Sequence, residues 1–222
     1  MENPYRSEIV SRGFCFIPKF GAERNSVEMA NLVGEIDNLE GFTSTQVLAP
    51  RFLGDAAPNT YSGNFGLGEF PLHTDLAHWA VPPRYFFLRC QRGAKEVPTR
   101  ILDGKAVVPS VGADELRMAL VQPRRPMRNG KQLLRLLEHF EGESDFTLRW
   151  DSLYLKPASQ IAARIYGAFF NVLSSLTPTE IPLIESGDTL VIDNWRCLHG
   201  RAPVLSANLD RKIDRVYLKN LK

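Results

Sequence analysis

Short apolar runs, each cut off by a proline, a glycine or an Asp-Gly turn, constrain this chain more than any other feature. Gly13-Phe14-Cys15-Phe16-Ile17 closes at Pro18, Gln46-Val47-Leu48-Ala49 at Pro50, and Val97 to Leu102 at Asp103-Gly104. Arg84 to Cys90 is aromatic and short, Thr189 to Ile192 follows the turn Ser186-Gly187-Asp188, and Ile213 to Leu218 is the last such run. Runs of about 4–8 residues rich in β-branched and aromatic side chains read as strands. Helices are expected at three places. One starts from a Ser26 cap and carries Met29, Leu32, Ile36 and Leu39 to a stop at Gly41. A second starts from a Ser110 cap and runs through Leu116, Ala119 and Leu120 to Pro123. The third is opened by Pro157, with Ile161, Ile165, Phe169 and Leu173 on one stripe. Lys131 to Phe140 fits either period, and Gly142-Glu143-Ser144 before Phe146 to Trp150 favours a hairpin. Strands outnumber helices and are joined by turns rather than crossover helices. That pattern belongs to a sandwich or barrel, not to a doubly wound sheet.

Composition narrows the function classes. A length of 222 residues suits one domain, 1–222, with a proper core. A net charge of +2 from 27 basic and 25 acidic residues is no nucleic-acid footprint. Cys15, Cys90 and Cys197 are odd in number and far apart, which suggests buried free thiols in a reducing compartment. The sequence shows no apolar leader and no run of membrane-spanning length, so a cytoplasmic protein is expected. Nothing in the sequence fixes an oligomeric state.

Residues 54–68 hold Gly54, Pro58, Gly63, Gly66 and Gly68, a loop that runs straight into Phe70-Pro71-Leu72-His73-Thr74-Asp75. Long unstructured loops are uncommon unless functional. His73 and Asp75 are two apart, so on extended backbone both side chains share a face. An imidazole and a carboxylate on one face are two-thirds of a metal site, although the tripeptide alone is equally a loop Asx-turn. His199 would complete two imidazoles and one carboxylate. Three such ligands leave open positions, the arrangement of non-haem Fe(II) oxygenases. Zinc is the rival, but no His-Glu-x-x-His is present to supply a hydrolytic base.

A second stretch supplies the context: Gly187-Asp188-Thr189-Leu190-Val191-Ile192-Asp193-Asn194-Trp195-Arg196-Cys197-Leu198-His199-Gly200-Arg201. It resembles the distal-histidine strand of the Fe(II)/2-oxoglutarate-dependent oxygenases, in the branch of taurine dioxygenase, clavaminate synthase and γ-butyrobetaine hydroxylase. Pro71 to Asp75 resembles the proximal His-x-Asp/Glu motif of that family. The resemblance spans residues 70 to 218. It implies a mainly β fold with flanking helices, a double-stranded β-helix or jelly roll. It also implies Fe(II), the cosubstrate 2-oxoglutarate and O₂, and a small-molecule substrate that is amino-acid-like or a natural-product intermediate. Hydroxylation with release of succinate and CO₂ is the implied default, and desaturation or cyclisation uses the same site. His73, Asp75 and His199 match the metal ligands. Arg211, twelve residues after His199, matches the arginine that clamps the far carboxylate of 2-oxoglutarate, and Thr99 the threonine that assists it. Val97-Pro98-Thr99 lacks the Gly-Gly often seen before that threonine.

Arg215 lies four residues after Arg211, so the two are expected to share a strand face, with Arg215 free for a substrate anion. Glu69, just before the proximal motif, is a further candidate substrate contact. Residues 103–131 are shorter than in relatives and must serve as a lid, or the site is more open. His78 is read as structural beside Trp79, His139 as surface, Arg149 and Asp151 as a salt-bridged core edge, and Arg124, Arg125 and Arg128 as a solvated loop. A 2-oxoglutarate-independent jelly-roll metalloenzyme, or a metal-binding jelly roll without turnover, has no use for Arg211.

Overall fold

In the computed structural model, residues 4–125, 127, 132–140 and 145–222 are described. The chain opens with α1 (Pro4–Arg12) and β1 (Phe14–Ile17). Gly13 between them has φ +81, and an added Cβ would collide with Cys197 Sγ, so the turn requires glycine. α2 (Ser26–Val33) is capped by Asn25, whose side chain accepts from Glu28 N at 2.9 Å. The helix therefore starts one residue earlier than expected and stops eight residues before Gly41. Gly34 to Ile36 instead form β2, paired with the C-terminal strand. Sheet pairing overrides the helical spacing of Ile36 and Leu39, and Ser26, the expected cap, donates its hydroxyl to Asp214 Oδ2 at 2.6 Å.

β3 (Gln46–Leu48) follows, and the expected loop contains the short α3 (Tyr61–Phe65), capped by Thr60. Then come β4 (Phe70–His73), β5 (Tyr85–Arg92) and β6 (Thr99–Asp103). Asp103 accepts from Lys105 N at 2.9 Å and caps α4 (Gly104–Val111). Gly112, at φ +110, separates α4 from α5 (Ala113–Met118). The helix expected from Ser110 thus begins earlier and is split, because a better cap lies upstream and a glycine breaks it. β7 (Leu120–Pro123), β8 (Leu134–Arg135), β9 (Leu137–His139), β10 (Phe146–Leu148) and β11 (Leu155–Pro157) are short. β9 and β10 make the expected hairpin pairing; its turn, Gly142 to Ser144, lies outside the described residues. α6 (Gln160–Ser175) is capped by Ser159, whose hydroxyl accepts from Ala162 N at 3.1 Å, while Pro157 ends β11 rather than opening the helix. β12 (Thr179–Ile181), β13 (Thr189–Asp193), β14 (Cys197–Arg201) and β15 (Lys212–Leu221) complete the chain.

The architecture is mainly β, with antiparallel sheets and flanking helices. The larger sheet runs β1-β13-β5-β15-β2, with β3 also paired to β15; a four-stranded sheet runs β12-β6-β14-β4. The period-2 alternation of side chains sorts the core into layers. Phe86, Leu88, Leu190, Ile192 and Tyr217 of the larger sheet meet Ile101 and Cys197 of the smaller one. Their neighbours Phe87, Val191, Val216 and Leu218 point the other way and pack on Met29, Ala30 and Val33 of α2. Leu102 and Leu198, on the back of the smaller sheet, join a third cluster with Trp150 and the helices α4 to α6. Trp150 stacks on Phe169 of α6 with ring centroids 3.9 Å apart. His199, between Leu198 and Gly200, takes the inner face, and so the space between the sheets receives it.

Candidate metal centre and its cavity

β4 and β14 are antiparallel neighbours in which His73 and His199 are directly opposed. This register puts the two imidazole centroids 4.3 Å apart. The chain leaves β4 after His73, and Asp75 swings back beneath both rings, with Oδ1 3.7 Å from His73 Nε2 and 3.8 Å from His199 Nε2. One ligand atom from each of the three lies within 4.8 Å of the others, and all three residues are buried. The turn is held tightly. Thr74 N donates to Trp150 O at 2.8 Å, and Trp150 N donates to Thr74 Oγ1 at 3.1 Å. Asn194 accepts from Asp75 N at 2.7 Å and donates to Asp75 O and Pro83 O at 3.0 and 2.9 Å. The next residue, Leu76, sits at φ +52, a left-handed conformation unusual for a γ-branched side chain. The ordered bonds on either side hold that strain in place.

The donor chemistry fits a divalent metal. His73 Nδ1 lies 2.9 Å from Pro71 O, which assigns the proton to Nδ1 and leaves the Nε2 lone pair facing Asp75. Burial and the neighbouring His73 push His199 down to about 3, so its ring is neutral at ordinary pH. Burial alone would lower His73 too, but the carboxylates of Asp75 and Asp151 outweigh it and draw its pKa upward. That same negative field attracts a cation. Burial raises Asp75, but the Arg215 charge and the two imidazoles outweigh it and hold Asp75 ionised well below the usual carboxylate range. Two imidazoles and one carboxylate suit iron, nickel and zinc alike.

A cavity of about 860 Å³ opens on the triad. Arg211 and Thr99 line it and are both buried, at 6% and 4% exposure. Arg211 lies in the turn before β15, not on the strand itself. Its Nε has no partner, and its guanidinium forms no ion pair among the described residues. Burial pulls its pKa down to about 10, which leaves it charged at neutral pH. Arg201 also lies close, but it donates to Gly66 O and Gly68 O and covers the Phe70 ring at 3.7 Å.

Two expected substrate contacts are placed differently. Arg215 faces the cavity, yet it donates to Asp75 Oδ2 at 2.7 Å and to Gln46 Oε1. Tyr217 OH donates to the same Oδ2 at 3.1 Å. Arg215 is therefore tied to the Asp75 carboxylate rather than left free for an anion. Glu69 does not line the cavity; it is paired with Arg100 of β6 at 2.7 Å. Arg149 is not paired with Asp151. Arg149 is buried, with Glu138 at 3.0 Å and the carbonyls of Ala77, Trp79 and Ala80 as its partners, while Asp151 lines the cavity. His78 also lines it, and burial pushes its pKa down to about 4. Of the expected lid, α4 and α5 pack into the outer core; among its described residues only Pro123, Arg124, Arg125 and Met127 reach the cavity, and Arg128 lies outside the described residues. The opposite rim comes from Phe42 to Asn64. Sequence reasoning missed Asp151, Tyr61, Tyr217 and the bridging role of Asn194. Only Asn194 carried a local signal, through its place in the Asp-Asn motif.

No protein-family model matches the chain. Solved structures do. An asparagine oxygenase in complex with Fe(II), (2S,3S)-3-hydroxyasparagine and succinate aligns with a TM-score of 0.70 and 17% identity, over 96% of this chain and 76% of that one. The non-heme iron oxygenase OrfP, in complex with Fe, succinate and (3S)-hydroxy-L-Arg, aligns at 0.66 and 20%, over 97% and 78%. PvcB of Pseudomonas aeruginosa, an Fe, alpha-ketoglutarate dependent oxygenase from an isonitrile synthetic pathway, aligns at 0.66 and 17%, over 96% and 78%. The chain has the fold of these oxygenases. Among the described residues, no helix of the oxygenase fold is long and apolar enough to cross a membrane.

Proposed function

We propose that this chain is an Fe(II)- and 2-oxoglutarate-dependent oxygenase, one jelly-roll domain over residues 1–222, that hydroxylates a small amino-acid-like substrate. The observation that carries the reading is Arg211, a buried guanidinium in the cavity of the triad that has no ion-pair partner among the described residues. An unpaired buried charge is costly, and a dicarboxylate is the cosubstrate that would satisfy it while leaving its 2-oxo acid end for the metal. A 2-oxoglutarate-independent metalloenzyme gives that charge no purpose. The solved neighbours that carry succinate support the same choice.

His73, Asp75 and His199 would hold the iron. Bound Fe(II) supplies the oxidative decarboxylation of 2-oxoglutarate by O₂, giving succinate, CO₂ and an oxidised substrate C–H bond. The protein's own groups do the rest. Arg211, assisted by Thr99, accepts the distal carboxylate in the fork geometry suited to guanidinium. Arg215 and Tyr217 occupy Asp75 Oδ2, which leaves Oδ1 as the donor turned toward the imidazoles. Iron at about +2 and Asp75 at about −1 leave a net positive site for a dianionic cosubstrate. The aromatic walls, with Tyr61 stacked on His73 at 4.0 Å, exclude water from the rings.

Succinate release tests the reading. Purified protein is stripped of metal, reloaded with Fe(II) and incubated with 2-oxoglutarate and O₂, alone and with candidate amino acids. Succinate that requires both iron and 2-oxoglutarate, and rises with a substrate, is expected. Product formation indifferent to 2-oxoglutarate would favour the cosubstrate-independent alternative.

A further inference from the structure

Asp151 is a buried carboxylate that the metal and cosubstrate reading leaves unused. It is 1% exposed and lines the cavity that holds the triad. One oxygen, Oδ1, accepts from Leu153 N and Tyr154 N, both at 2.8 Å. No lysine or arginine forms an ion pair with it among the described residues; Arg149, two residues away in sequence, is committed to Glu138 and to backbone carbonyls. Among the described residues, six arginines line the cavity, Arg51, Arg124, Arg125, Arg201, Arg211 and Arg215; Arg215 is paired with Asp75, and Arg211 faces the proposed cosubstrate position.

The surroundings of Asp151 also suit a cation. Tyr61 and Tyr154 meet edge to face with centroids 5.8 Å apart, and the His78 ring lies 5.2 Å from Tyr154. Aromatic faces attract cations, most strongly where water is excluded. His78 is neutral at ordinary pH and offers no repulsion. Buried carboxylates are ordinarily paired, and this one faces open cavity instead.

We propose that Asp151 is the subsite for a cationic group of the substrate, a guanidinium or an ammonium, with the Tyr154 ring beside it. The inference rests on the oxygenase reading, because it assigns the triad cavity to the substrate. Asp151 is then a specificity-determining residue. It selects amino-acid-like molecules that carry a positive side chain over neutral ones of the same shape, because a neutral group would leave the carboxylate unpaired.

Calorimetry on Zn(II)-loaded protein, which cannot turn over, tests this. 2-Oxoglutarate is titrated first, and the amino acids follow at saturating 2-oxoglutarate in two near-isosteric pairs: L-arginine against L-citrulline, and L-lysine against L-norleucine. In at least one pair the cation is expected to bind tenfold or more tightly than its neutral partner. Asp151→Asn keeps an oxygen for the two backbone N–H groups and is expected to abolish that preference while leaving 2-oxoglutarate affinity unchanged. Should it not fold, Asp151→Ser serves in its place. Equal affinity within both pairs, no binding by any of the four, or a preference that survives the substitution overturns the proposal. Absence of 2-oxoglutarate binding beside an intact cation preference would instead remove the oxygenase reading and leave the subsite standing.

Discussion

Of the three candidate metal ligands, His73 is held by Pro71 O and Asp75 by Arg215 and Tyr217, whereas His199 Nδ1 has no hydrogen-bond partner among the described residues. Asp75→Ala or His199→Ala should abolish iron binding and turnover while the fold persists, since the apolar strands hold the sheets together; iron affinity and far-UV circular dichroism, measured together, check this. Arg215→Ala should weaken iron binding by about 10–100-fold, the usual effect of losing a partner of a metal ligand, and leave the KM for 2-oxoglutarate unchanged at saturating iron. A raised KM at saturating iron would return Arg215 to a ligand-binding role. His78 gives a pH signature. Its pKa is about 4 in the folded chain against an ordinary 6.5, because burial disfavours the imidazolium. Below 6.5 the unfolded chain takes up the proton first, so this group's contribution to stability is lost as pH falls from 6.5 toward 4. His78→Gln should therefore gain on the natural protein across that window, by on the order of 1–3 kcal/mol at its acid end, with no pH-dependent difference above pH 7. Denaturant melts of both proteins at matched pH values measure it. The triad was legible at this scale, because His-x-Asp and the distal His-Gly-Arg are local patterns. Asp151 and the Arg215–Asp75 pair were not, because both depend on which residues a tertiary register brings together.

At the scale of elements, the decisive event is the pairing of β4 with β14, which opposes His73 and His199 without help from any loop. Asn194 then ties the Asp75 turn to the end of β13. Asn194→Ala would strip three hydrogen bonds and leave Asp75 N and Pro83 O buried without partners. A loss of about 2–4 kcal/mol in folding stability is expected from the desolvation of such groups, together with weaker metal binding; urea unfolding and iron titration report the two effects. Unchanged stability would mean that the turn does not depend on this side chain. The long strands were readable from apolar runs, and β5 and β13 fall within a residue or two of their expected limits. Helix ends were less readable. The spacing of Ile36 and Leu39 matched a helix, yet Gly34 to Ile36 gained strand hydrogen bonds with β15, a competitor more than 180 residues away in sequence.

At the scale of the molecule, two facing sheets carry the chemistry on their shared inner side and the helices on their backs. Sequence indicated a sandwich or barrel, but the layering depends on which face each strand turns inward, and that emerges only from the packed core. The same arrangement leaves Arg211 buried, charged and without an ion pair among the described residues, beside the His73–Asp75–His199 cluster. The role proposed for that charge is to hold 2-oxoglutarate. The most direct measurement is the affinity of 2-oxoglutarate for the metal-loaded natural protein and for Arg211→Ala. Losing one charged hydrogen-bonding group costs about 1.5–3 kcal/mol, on the order of a ten- to hundredfold fall in affinity. That fall is expected, with metal affinity unchanged. Equal 2-oxoglutarate affinity in the two proteins, or no binding by either, would contradict it.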